Sequence, residues 1–305
     1  MHLAGAGRAR LDQAAAPAGL LVDDDHAGGR GANFRERAGQ VRELPAFGVQ
    51  LALLAGRRGL DVGELARSTD TADTVITSVL GGGEPDPSLL RRLGPALGLH
   101  RSDLFVIAGQ PVPDDLTPLD ATASSIVGWL AWSLTYLPGA VPELHQLVRA
   151  MPQQPRPAPP PAEPPRHRYL RGPGGLVVRL LHNRNLNLPG SAKYLFGIGN
   201  GPMLAASTIG MIGGAEKALT PELLAGFAAF LDIPRGDLSA LTGIDLAEVD
   251  QPAHPDAAEA AELIWAARRL TADQLRQVDR HAHAIRHRRT DELEPWLRCS
   301  CRNPD

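Results

Sequence analysis

One stretch used twice constrains this chain more than any other feature. Residues Pro87 to Gly109 read PSLLRRLGPALGLHRSDLFVIAG, and Pro221 to Gly243 read PELLAGFAAFLDIPRGDLSALTG, in register at a constant offset of 134 without a gap. Leu89 falls on Leu223, Leu90 on Leu224, Leu93 on Phe227, Leu97 on Leu231, Leu99 on Ile233, Asp103 on Asp237, Leu104 on Leu238 and Gly109 on Gly243. Apolar positions that match at helical spacing while exposed ones drift are the mark of two copies of one packed unit, an internal duplication.

Composition narrows the fold class. The chain has 305 residues, 43% hydrophobic but only 4% aromatic. Ala, Leu and Arg outweigh the β-branched and aromatic residues that favour strands, so an all-α protein is expected. A net charge of −3 gives no bulk attraction to nucleic acid or anionic lipid and leaves only local patches to provide one. Cys299 and Cys301 stand one residue apart and cannot close a long loop, which suits a reducing, cytoplasmic setting. The N-terminal stretch carries three consecutive aspartates and no apolar core of signal-peptide length, so secretion is not expected and residues 1–43 read as a disordered extension.

The remaining organisation follows the repeat. Residues 44–120 form the first module. AFGVQLALLAGRRGL places Phe47, Leu51, Leu54 and the Arg58 stem on one helical face, and Gly59 stops the helix. Asp61 caps the short helix VGELARS, which breaks at Thr69 and Asp70. A third helix, ADTVITSVL, is expected to bury Val75, Ile76, Val79 and Leu80, and Pro87 to Gly98 and Ser102 to Ala108 complete five helices. The second module, 169–250, repeats the plan. LVVRLLHNRNL matches the first helix at offset 126, setting Arg184 on Arg58, Asn187 caps LPGSAKYLF, and LAASTIGMIGG supplies the third helix. A helical pair follows each module, at 121–151 and 255–290, and 291–305 is a tail. Between the halves, 152–168 is a Pro-rich linker of extended polyproline character, expected to set the distance between modules.

A short helix, a tight turn and a second short helix with small residues packed against it, carried by Leu60, Leu65, Ala66, Ile76, Val79, Gly81, Pro87, Leu93 and Leu97, resemble the Cro/CI-type (XRE) helix-turn-helix regulators, here in two tandem copies. The resemblance implies a DNA-binding transcriptional regulator whose third helices enter the major groove of double-stranded DNA. It places Asp73, Thr74, Thr77 and Ser78 on the first reading face. On the second copy it places Ser207, Thr208, Gly210 and Met211, with Arg184, Lys193 and Lys217 as nearby cations. Neither third-helix face carries Arg, Lys, Asn or Gln, the residues best suited to a base edge. An alternative therefore stands beside it: a helix-turn-helix-derived protein-interaction or scaffold module without DNA binding.

Other features read more simply. Ile126 to Val141 is apolar but about sixteen residues long, short of the roughly twenty that span a bilayer, so no membrane association is expected. Trp129, Trp132 and Tyr136 share one helix face, which is expected to pack in the core or to support a homodimer through the helical pairs. His281, His283 and His287 with Cys299 and Cys301 lack a metal-ligand spacing beyond one i, i+4 pair, and a basic helix end explains them. The glycine-rich segments GGG, GPGG and GIGNGP lack the lysine of a phosphate loop, and no nucleophile stands at a recognisable spacing from a base. No enzymatic activity, cofactor or metal is expected.

Overall fold

The computed structural model describes residues 43–137, 139–157, 172–252 and 254–300, with side chains to residue 288. The expected N-terminal extension to residue 42, most of the Pro-rich run, the side chain of Cys299 and all of Cys301 lie outside the described residues. Those described form an all-α protein: fourteen helices, two 3₁₀ turns and no strand.

The first seven helices are α1 (Phe47–Arg57), α2 (Val62–Ser68), α3 (Asp73–Leu80), α4 (Pro87–Ala96), α5 (Arg101–Ile107), α6 (Ser124–Leu134) and α7 (Val141–Ala150). The second seven are α8 (Gly172–Asn183), α9 (Leu188–Gly197), α10 (Ala206–Gly213), α11 (Pro221–Leu231), α12 (Arg235–Thr242), α13 (Ala257–Ala267) and α14 (Ala272–Ser300). Each half thus has five short helices followed by a pair, in the same order.

Local chemistry fixes the helix ends as expected. Asp61 and Glu64 form a reciprocal capping box at the start of α2, with the Asp61 carboxylate 2.7 Å from the Glu64 amide. Asn187 caps α9 through the Gly190 amide, Pro87 and Pro221 open α4 and α11, and Asp70 takes the left-handed conformation in the first turn. One expectation fails: Val75 is exposed on α3, because the short helix needs only Ile76 and Val79 to cover its inner side.

Packing repeats the same devices. Gly48 lets α1 cross the end of α3, since a Cβ there would come within 2.5 Å of the Val79 and Leu80 carbonyls. Gly174, its counterpart at offset 126, lets α8 cross α10 at the Ile212 carbonyl, where a Cβ would be closer still. The recurrence of one backbone approach in both halves supports the duplication independently of the matched leucines.

The halves do not stand apart. All described residues belong to one compact unit, in which α5 lies on α8 and α12 on α1. Asp103, fully buried, accepts from Arg184 Nη1 and Nη2 at 3.1 and 2.9 Å and from Asn183 Nδ2 at 2.6 Å. Asp237 accepts from Arg57 Nε at 2.9 Å and Arg58 Nη2 at 2.6 Å. Asp103 and Asp237 are repeat equivalents, as are Arg58 and Arg184, and Arg57 and Asn183. Residue i of one half therefore meets residue j of the other, and j meets i, the reciprocity of an isologous dimer interface inside one chain. The helical pairs continue it, α6 against α14 and α7 against α13. This interface sets the distance between the copies, a role expected of the Pro-rich run.

The symmetry is incomplete: α11 packs on α13 without a counterpart of that extent between α4 and α6, and a second departure is larger. Helix α6 of the first half docks on α9 of the second, so closely that a Cβ on Gly190 would lie 2.7 Å from Gly128 Cα, whereas α13 forms no matching contact with α2.

Candidate nucleic-acid interface

In each half a short second helix leads to a third helix of eight residues, α3 after a tight turn and α10 after a longer, glycine-rich connection. The inner sides are anchored by Ile76 and Val79 and by Ile209 and Ile212, all buried. Asp73, Thr74, Thr77 and Ser78 are all exposed along α3, with Thr77 Oγ1 donating to the Asp73 carbonyl at 2.8 Å. On α10, Ser207 and Met211 are exposed, Thr208 and Gly210 are half-buried, and Lys217 is exposed in the following turn. The structure places eight of these residues along the two third helices and Lys217 in the turn that follows α10.

Neither third helix has a side-chain cap, in contrast to α2 and α9. Uncapped N–H groups and the positive end of the helix dipole can receive an anion. In α3 the carboxylate of Asp73 already stands in the first turn and opposes a phosphate; α10 has no acidic residue there.

Two expected DNA contacts are placed elsewhere. Arg184 is 1% exposed, held by Asp103 and by the Leu180 and Leu231 carbonyls, and cannot reach DNA. It continues the buried end of α8, where the partner carboxylate comes from the other half. Lys193 lies with Nζ 3.1 Å from the Trp129 ring centroid, a cation–π contact formed because α6 covers α9, and burial lowers its pKa. The cationic support expected around α10 is reduced to Lys217.

The aromatic face of α6 is partly used inside the chain. Trp132 packs on Tyr136 and Phe196 with ring centroids 5.2 and 6.4 Å away, while Trp129 stays 55% exposed. The two helical pairs meet each other within the chain. No helix among the described residues is long and apolar enough to cross a membrane. Among them no group of three His, Cys, Asp or Glu side chains could hold a metal. His281 instead lies 2.7 Å from Glu143.

The residues that sequence reasoning missed are those of the inter-copy interface and of a cationic cleft beside it, around His100, Arg101, Trp265 and Arg268. The aligned pairs Asp103/Asp237 and Arg58/Arg184 were the available signal. Comparison with protein-family models, curated proteins and solved structures yields no match.

Proposed function

We propose that this chain is a DNA-binding transcriptional regulator built from two Cro/CI-like helix-turn-helix modules fused into an intramolecular pair. The observation that carries this reading is that both halves present a short third helix anchored on its inner side and open along its outer side. Ser207, Thr208, Gly210, Met211 and Lys217 would meet the duplex from α10, whose uncapped start is free of acid. Asp73, Thr74, Thr77 and Ser78 would meet it from α3. Two modules joined by reciprocal contacts suit an operator with two similar half-sites.

Gel shifts of genomic fragments at rising salt test the reading. Affinity is expected to fall steeply with salt, and Lys217→Glu to weaken binding by about 10-fold, consistent with loss of a phosphate contact. Asp73→Lys is expected to strengthen it. No binding, or binding indifferent to salt, overturns the proposal.

A second reading is favoured by a specific observation. Arg184 and Lys193 are engaged within the protein, and neither third helix offers an Arg, Lys, Asn or Gln to a base edge. A helix-turn-helix fold retained as a protein-interaction module would show this. A folded chain that binds no fragment in the gel shift is the outcome that favours it.

A further inference from the structure

We propose that a small polyanion, a molecule bearing phosphate or carboxylate groups, binds in the cleft between the start of α5 and the end of α13. The inference is independent of DNA binding. The cleft has a volume of about 500 Å³, within the usual range of small-molecule sites. Its walls carry Arg101 from the first half, Arg268 and Arg269 from the second, and Arg156 from the segment after α7. The one carboxylate among the lining residues, Asp115, is engaged in a bidentate pair with Arg91 at 2.7 and 2.8 Å. A chain of net charge −3 thus concentrates four guanidinium groups around one concavity.

These four guanidinium groups form no ion pair among the described residues, although Asp103 lies near Arg268 and Asp115 near Arg156. Arg156 donates to the Asp114 and Pro118 carbonyls at 2.6 and 2.7 Å. Arg269 donates to those of Val148, Arg149 and Met151 at 2.5 to 2.9 Å. Arg268 Nη2 donates to the Leu116 carbonyl at 2.6 Å and to Asn183 Oδ1 at 3.0 Å, while its buried Nε has no partner. Arg101 is exposed and has no hydrogen-bond or ion-pair partner among the described residues. Neutral carbonyls fix the forks and leave the charge for an occupant. The ring of Trp265 forms the aromatic wall, with His100 stacked on it at 3.4 Å and the Arg268 guanidinium 4.0 Å from its centroid.

The duplication supplies a control that most folds lack. At offset 134 His100 becomes Pro234, and with α13 aligned on α6 at offset 133, which sets Trp265 on Trp132, Arg268 becomes Thr135 and Arg269 becomes Tyr136. Arg101 becomes Arg235, whose guanidinium is taken up by the Val249 and Gln251 carbonyls. The repeat-equivalent positions of the other half thus keep one of these arginines and lack the His–Arg pair around the tryptophan, so the repeat itself does not require the cluster. An occupant would also touch both halves. Arg268 reaches Asn183, which donates to Asp103 beside Arg184, so binding would tighten the inter-copy interface.

Isothermal titration of the full chain with inorganic pyrophosphate and, separately, with citrate at constant ionic strength tests the proposal. Saturable binding of at least one anion at a single site is expected, and the anion that binds identifies the headgroup. Arg101→Ala, which removes an exposed and unpaired side chain, should weaken it by about 10-fold or more, the loss of a charge-assisted contact. Arg92→Ala, an exposed arginine outside the cleft, should leave it unchanged. The proposal is overturned if neither anion gives saturable binding, or if both variants weaken it equally, which would mean diffuse attraction. It also fails if Arg101→Ala reduces DNA binding while neither small anion binds.

Discussion

Asp103 and Arg184 form a fully desolvated pair, and removing one member leaves the other charged and buried. Asp103→Asn is therefore expected to cost about 3–5 kcal/mol. Asp237→Asn, whose partners Arg57 and Arg58 are 48% and 23% exposed and can be rehydrated, is expected to cost less, about 1–2 kcal/mol. Urea denaturation of both variants checks the order, and equal losses would contradict the asymmetry of burial. His100 makes a pH prediction. Burial against Trp265 lowers its pKa from 6.5 to about 4. The folded state then binds fewer protons than the unfolded one between those values, so stability is full above pH 6.5 and falls as pH drops toward 4. After allowance for the partly exposed ring, the loss is about 2 kcal/mol. Denaturation midpoints measured from pH 7 to pH 4 should show a slope that His100→Phe reduces. The repeat makes Asp103 and Asp237 visible in the sequence as equivalents, but not their partners, because contacts about 80 and about 180 residues away depend on how the halves dock.

At the scale of helices, caps and stops are local and were legible: Asp61 with Glu64, Asn187, Gly59 and the paired prolines all act within a few residues of where they stand. Which face a helix leaves open was less legible. Val75 follows the apolar pattern of α3 yet is exposed, since α1 and α2 cover only one side of so short a helix. Lys193 follows the pattern of a surface cation yet lies on Trp129, because α6 arrives from the other half. The glycines at the crossings carry a prediction. Gly48→Ala and Gly174→Ala each force a methyl group toward a carbonyl of the facing helix and should destabilise by about 1–3 kcal/mol, the usual cost of overpacking. Thermal unfolding of the two variants checks it, and a neutral Gly174→Ala would mean that α8 and α10 can separate freely.

For the whole molecule, the reciprocal interface makes two halves one cooperative body. Heat or urea should unfold the described portion in a single transition, with fluorescence and circular dichroism coinciding. Two separated transitions would show that the halves are independent. The helical pairs satisfy each other within the chain, so sedimentation in the micromolar range is expected to show a monomer. A concentration-dependent dimer would assign a role to the exposed Trp129.

The amino-acid order alone determined the helical class, the helix ends and the existence of two copies, because periodicity, capping and turn chemistry act over a few residues and are written locally. Only the tertiary structure decided that the copies face each other, that Arg184 is an interface residue, that α6 covers α9 and that four arginines surround one cleft. Each of those outcomes depends on which buried surfaces from distant segments fit together. That fit depends on docking geometry in three dimensions, which no local pattern encodes.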